Sequence, residues 1–162
     1  ECEAKDLLVQ ALDWYKQHNP DGKTEKREFV FKPVKLENLS EEYFPPTIKK
    51  ILEGISDGKK RALFILLNFF RSIGMEKDEL EKRINEWNEK NEVHLKQGYV
   101  KSQLIWSYRN KVVPPPNFDK DYYKGIGIIP TPEELRYKNP SNYTIKKYFS
   151  KNNADKKFKK NK

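Results

Sequence analysis

The chain has 162 residues, of which 36% are hydrophobic, 35% charged and 13% aromatic, and a formal net charge of +9. Its mean hydropathy of -0.98 and the lack of any apolar run of about eighteen residues exclude a membrane-spanning protein, while the aromatic content is too high for a chain disordered throughout. One cysteine, Cys2, and two histidines, His18 and His94, exclude an internal disulfide, a four-ligand zinc site and an iron–sulfur cluster built from this chain alone. Nothing before Lys23 has the basic-then-apolar pattern of an export signal, so the expected compartment is the cytoplasm. With Glu rather than Met at residue 1, the expectation is a processed chain or a fragment.

In chain order, Leu8, Leu12 and Tyr15, flanked by Leu7, Ala11 and Trp14, predict an amphipathic helix over residues 4–18 that ends at Asn19-Pro20-Asp21-Gly22. Residues 23–35 read as a charged linker with one short strand at Phe29-Val30-Phe31. Asn38 and Ser40 are candidate caps for a helical turn before Phe44, which Pro45-Pro46 stops. Pro46 suits a first helical turn, with Ile48, Ile51, Leu52 and Ile55 as one apolar face. Residues 61–72 are apolar nearly all round, as expected of a buried central helix, and Gly74 suits its C-terminal cap. The segment 76–91 carries only the narrow stripe Leu80, Ile84 and Trp87, so it reads as an outer helix. A further helix over 96–110 turns Val100, Leu104 and Tyr108 to the core. Pro114-Pro115-Pro116 ends it, and an irregular stretch follows in which Ile126, Ile128 and Ile129 return to the core. Pro132 to Leu135 forms a turn, and Asn139-Pro140 opens a last helix to about Phe149. The expected fold is therefore an all-α compact bundle of about five helices with irregular Pro/Gly loops. Its parts are an N-terminal helix and linker (1–43), a helical domain (44–150) and a lysine-rich disordered tail (151–162).

Reaction signatures are missing. No phosphate loop, G-x-S-x-G or H-E-x-x-H is present, and the carboxylates of 76–91 alternate with lysines and arginines as on a solvated helix face. No catalytic residue and no metal ligand set is expected. Basic residues carry more information. From Lys138 onward nine lysines face a single acid, Asp155, so this segment carries +8 and residues 1–137 only +1. It is either a solvated tail or a salt-sensitive arm on phosphates. Lys59, Lys60 and Arg61 open the central helix, where cations oppose the helix dipole. Such a cluster fits a phosphate ligand or serves solubility. On the helix at 96–110, Trp106 falls opposite Leu104, near Ser102 and Arg109. It either stacks on a base while Lys101 and Arg109 engage phosphates, or packs under the proline run. Tyr108 is the second stacking candidate.

Residues 44–149 resemble the C-terminal domain of the archaeal and eukaryotic DNA primase large subunit, most closely its PriX-like noncatalytic archaeal versions without a cluster. The resemblance rests on ordered motifs: Pro45-Pro46-Thr47 where the family has Pro-Pro-Cys, Gly58-Lys59-Lys60-Arg61, Ser72-Ile73-Gly74-Met75, the helix Lys101 to Tyr108 with Pro114-Pro115-Pro116-Asn117-Phe118, and Asn139-Pro140-Ser141-Asn142-Tyr143. The resemblance implies a [4Fe–4S] cluster in the family. Here its positions fall at Thr47, Asn117 or Phe118, Ile129 and one near Leu135 to Tyr137, none of them Cys. No cofactor is expected in this chain, and Thr47, Phe118 and Ile129 are expected to pack where the cluster would sit.

The implied function is that of a noncatalytic helper in RNA primer synthesis during DNA replication, inactive alone and associated with the nucleoid. It would bind the initiating nucleoside triphosphate and single-stranded DNA or an RNA/DNA primer–template, and present them to the catalytic primase small subunit, with the large-subunit N-terminal domain as a further partner. By the same resemblance Lys59, Lys60 and Arg61 would meet phosphates, Lys101 and Arg109 would extend that surface, and Trp106 would stack on a base. The competing expectations are a helical protein–protein adaptor docking through residues 4–18, and a general nucleic-acid binder driven by the tail.

Overall fold

The computed structural model describes residues 3–18, 31–36 and 39–160, the last nine of these by backbone alone. Among them are eight α-helices, one 3₁₀ turn and no strand. The helices are α1 (Glu3–His18), α2 (Pro46–Leu52), α3 (Lys59–Ser72), α4 (Lys77–Glu89), α5 (Gln97–Arg109), α6 (Asp121–Lys124), α7 (Pro132–Leu135) and α8 (Pro140–Lys160); the 3₁₀ turn is Glu41–Tyr43. No helix among the described residues is long and apolar enough to cross a membrane. Cys2, the break at 19–22, residues 29 and 30 of the expected strand and the candidate cap Asn38 lie outside the described residues. Phe31 is irregular.

The chain forms two compact units, Glu1–Val30 and Phe31–Lys162. The first contains α1, none of whose residues is buried. The described residues just before Phe44 pack with the second unit. Val34 N–H donates to the Ser72 carbonyl (3.1 Å) and Leu36 N–H to the Ile73 carbonyl (3.3 Å), and Leu36 is buried. This close approach requires Gly74. Its φ of +77° closes the end of α3, and a Cβ there would stand 2.6 Å from Lys35 Cα.

As its composition predicts, α3 is the centre of the second unit and packs against α4, α5 and α8. Ala62, Leu63, Ile65, Leu66, Leu67, Phe69 and Phe70 are all buried, and Phe44 meets Phe69 edge-on with ring centroids 5.1 Å apart. Phe64 is the exception, at 38% exposed. It lies in a stripe about 100° wide with Lys60, Arg61, Asn68 and Arg71. Polar side chains close the loops. Trp87 Nε1–H donates to the Ile51 carbonyl (2.8 Å), and Asn91 accepts from Ile55 N–H (2.9 Å) while donating to the Trp87 carbonyl (3.1 Å). These bonds tie α2 and the loop after it to the end of α4.

Two expectations about the later segments are corrected. Ile126 and Ile128 are buried, but Ile129 is 74% exposed. Residues 128–131 have no regular secondary structure, so no helical or strand face carries Ile129 into the core with its neighbours. The last helix does not stop near Phe149; α8 runs to Lys160, so the segment read as a disordered tail is helical to that residue. Its first lysine, Lys151, is paired with Glu42 at 2.8 Å.

Candidate nucleotide-binding face

Lys59, Lys60 and Arg61 open α3 behind Gly58, whose φ of +73° supplies the left-handed turn into the helix and brings Ile126 against it. The three cations do not form one cluster. Lys59 Nζ donates to the Ser56 carbonyl. Lys60 Nζ stands 5.2 Å from the centre of the Tyr99 ring, over the first turns of α5. Arg61 turns about 100° further round the helix and lays its guanidinium on Gly125, where a Cβ would lie 1.6 Å from Nη1. Arg61 makes no ion pair with any described residue. The first turn of α3 contains no acidic residue, and no side chain caps it. Ahead of it, Gly58 N–H donates to Asp57 Oδ1 (2.6 Å), and the Arg61 and Ala62 amides both donate to the Gly58 carbonyl (2.9 and 3.0 Å).

On α5, helical geometry and the observed contacts divide the candidate residues. Tyr99, Ser102, Trp106 and Arg109 share a face, with Trp106 two turns beyond Tyr99. Trp106 is 56% exposed, so the proline run leaves its ring largely open, and Arg109 is exposed without an ion pair among the described residues. This places Lys60, Tyr99, Trp106 and Arg109 along one surface. Lys101 is not part of it; it lines a small cleft against α4 with Glu81, Asn85 and Gln97. Tyr108 is corrected as a stacking residue. It faces α3 and α4, with the Arg71 guanidinium 5.4 Å and Lys77 Nζ 5.6 Å from its ring centre. Its hydroxyl is buried without a partner, and burial pushes the phenol up to about 12.

Sequence reasoning missed a second set of residues beside Arg61. Lys120, Asp121, Tyr122, Lys124 and Gly125 line a groove of about 720 Å³ with it, and Tyr122 stacks on Phe64. One signal was available: Phe64 interrupts the polar stripe Lys60–Asn68–Arg71, where an apolar ring has no core to cover.

Thr47 and Phe118 are both buried and both close on the segment 134–138. Glu134 accepts from Thr47 N–H (2.8 Å) and Thr47 Oγ1–H (2.7 Å), and Phe118 N–H donates to the Lys138 carbonyl (3.1 Å). Ile129 points away from them into solvent. This donor set does not fit an iron–sulfur cluster: the Thr47 hydroxyl is engaged by Glu134, and neither Phe118 nor Ile129 offers a ligand atom. No group of three or more His, Cys, Asp or Glu gathers among the described residues. No family model matches the chain, and comparison with curated proteins and with solved structures gives no match.

Proposed function

We propose that the chain is a noncatalytic DNA primase accessory domain of the nucleoid, which binds an initiating nucleoside triphosphate and primed template for a separate catalytic subunit. The observation that carries the reading is the exposed Trp106 on the same face of α5 as Tyr99, whose ring holds the Lys60 ammonium at 5.2 Å. A base stacked on Trp106 would place its phosphates between Arg109 and the start of α3, where the Lys60 ammonium and the positive end of the helix dipole favour an anion. The reading also rests on the ordered motifs from Pro45 to Tyr143. Catalysis would come from a partner subunit, as the primase resemblance of residues 44–149 implies.

The test is a titration of the full chain with adenosine triphosphate, alone and with a short primed template, followed by tryptophan fluorescence. Saturable quenching is expected, lost in Trp106→Phe and at least ten-fold weaker in Lys60→Ala with Arg109→Ala. A flat titration of folded protein would overturn the reading. One observation favours the adaptor instead: Leu7, Leu8, Leu12, Trp14 and Tyr15 of α1 are each at least half exposed. If Leu8→Glu with Leu12→Glu abolished association with a catalytic partner in a chain that bound no triphosphate, the adaptor would replace the primase reading.

A further inference from the structure

We infer that the groove between the start of α3 and α6 is a single-strand platform, along which a nucleic-acid strand runs its phosphates past Arg61, Lys120 and Lys124 and lays a base on Tyr122. This rests on the reading of the chain as a binder of primed template, but it assigns a surface separate from the Trp106 face.

Three features of the groove carry the inference. Its charge is unbalanced, with Arg61, Lys120 and Lys124 facing the single carboxylate of Asp121. Lys120 is also paired with Asp119, an exposed contact at 3.7 Å that a phosphate would readily exchange. The exposed Arg61 guanidinium lies against Gly125, in space that a Cβ there would fill, and makes no ion pair with any described residue. Two aromatic rings stand in solvent beside these cations: Tyr122 is 42% and Phe64 38% exposed, stacked at 5.8 Å and 26°.

The stacking geometry selects the ligand. Phe64 covers one face of the Tyr122 ring, so a base can stack from one side only. A free nucleotide gains most from being sandwiched, whereas a strand continues its own stack beyond a one-sided platform and tracks its phosphates along spaced cations. Lys120 and Lys124 bracket the single turn of α6 and line the same groove, so a strand crossing that turn passes both cations. The ligand class is therefore single-stranded DNA or RNA bound without sequence preference.

The experiment follows fluorescein-labelled oligothymidylate binding to the full chain by anisotropy across a salt series. Tyr122→Ala should weaken binding about ten-fold while Tyr122→Phe keeps it. Lys124→Ala should lower the slope of log affinity against log salt by about 0.7. Gly125→Ala offers an independent variant. The backbone at φ −70° accepts alanine, and its Cβ must displace the Arg61 guanidinium, so binding should weaken again. Circular dichroism and unfolding midpoints confirm that each variant is folded.

Unchanged oligonucleotide binding in folded Tyr122→Ala overturns the platform, as does a loss confined to the lysine variants. Adenosine triphosphate titrations of the same proteins separate this inference from the proposed function. Oligonucleotide binding lost in Tyr122→Ala with triphosphate quenching retained supports the platform. The same loss in a chain that never binds triphosphate supports it too, and overturns only the nucleotide site. Loss of triphosphate binding alone in Tyr122→Ala overturns the platform.

Discussion

Two polar regions of the second unit treat charge in opposite ways. At the junction of α2 and α7, Glu134 is fully buried and its carboxylate is completely satisfied. One oxygen accepts from the amide and hydroxyl of Thr47, and the other from Thr131 N–H at 2.7 Å, closing a capping box. The start of α2 has no capping side chain of its own, so Glu134 caps it from 87 residues away. At the start of α3 the cations are exposed, and neither Arg61 nor Arg109 has an anionic partner among the described residues. A charge enclosed by its own chain's donors holds the fold together; charges left in solvent beside exposed aromatic rings are free to meet a ligand.

Glu134→Ala should break this comparison hardest. It leaves the Thr47 amide and hydroxyl and the Thr131 amide buried without an acceptor, at a cost of about 3 kcal/mol or more in urea unfolding. Glu134→Gln keeps an oxygen for Thr47 and loses only the Thr131 bond, so about 1 kcal/mol is expected. If Glu134→Ala cost less than its Gln counterpart, Glu134 would not be the cap of α2. Neither change should alter oligonucleotide binding by the folded fraction.

The two regions were not equally legible in the sequence. The turn at Pro132, the opening of α8 at Asn139-Pro140 and the buried α3 follow from local rules: a proline in the first turn, Asn139 Oδ1 accepting from Asn142 N–H (3.0 Å), and a nearly unbroken apolar run. The bond from Thr47 to Glu134 leaves no periodic trace, because a contact spanning 87 residues depends on the fold rather than on spacing. The basic triplet was legible as charge, but not as three side chains sent to Ser56, Tyr99 and Gly125. Phe64 was hidden by its own composition, since one exposed ring among buried apolar neighbours looks like more core. Ile129 misled for the converse reason: hydrophobic identity was taken for burial in a segment without regular secondary structure.

A smaller effect comes from the inward face of α5. Tyr108 keeps a buried hydroxyl without a partner, so Tyr108→Phe should stabilise the chain by about 1 kcal/mol. The same residue gives a pH signature. Burial raises the phenol to about 12 in the folded chain from 10.0. The folded state therefore holds this proton more tightly than the unfolded state. Its contribution is intact below pH 10 and declines as pH rises from about 10 to about 12. Unfolding midpoints measured over that range should fall more steeply for the parent chain than for Tyr108→Phe. Parallel slopes would mean that the phenol is not sequestered, and that the two faces of α5 differ less than their contacts indicate.

The smallest effect is the sharpest test of the comparison, because stability and binding should move in opposite directions. A cation in the first turn of a helix opposes the macrodipole by about 0.3 kcal/mol; α3 has no acid within that turn, and the nearest carboxylate, Asp57, is engaged by the Gly58 N–H ahead of it. For Lys60 the contact with Tyr99 contributes about 0.5 kcal/mol, which roughly cancels that cost, so Lys60→Ala should leave stability unchanged. Arg61 has no such offset: its guanidinium rests on backbone at Gly125, and Arg61→Ala should raise stability by a few tenths of a kcal/mol. Both variants should nonetheless weaken their ligands, triphosphate for Lys60→Ala and oligonucleotide for Arg61→Ala. A side chain whose removal helps the fold and harms binding is held there by the ligand. If Arg61→Ala instead destabilised the chain by 1 kcal/mol or about that, the guanidinium would be a packing element of the α3–α6 junction, and the contrast with Glu134 would disappear.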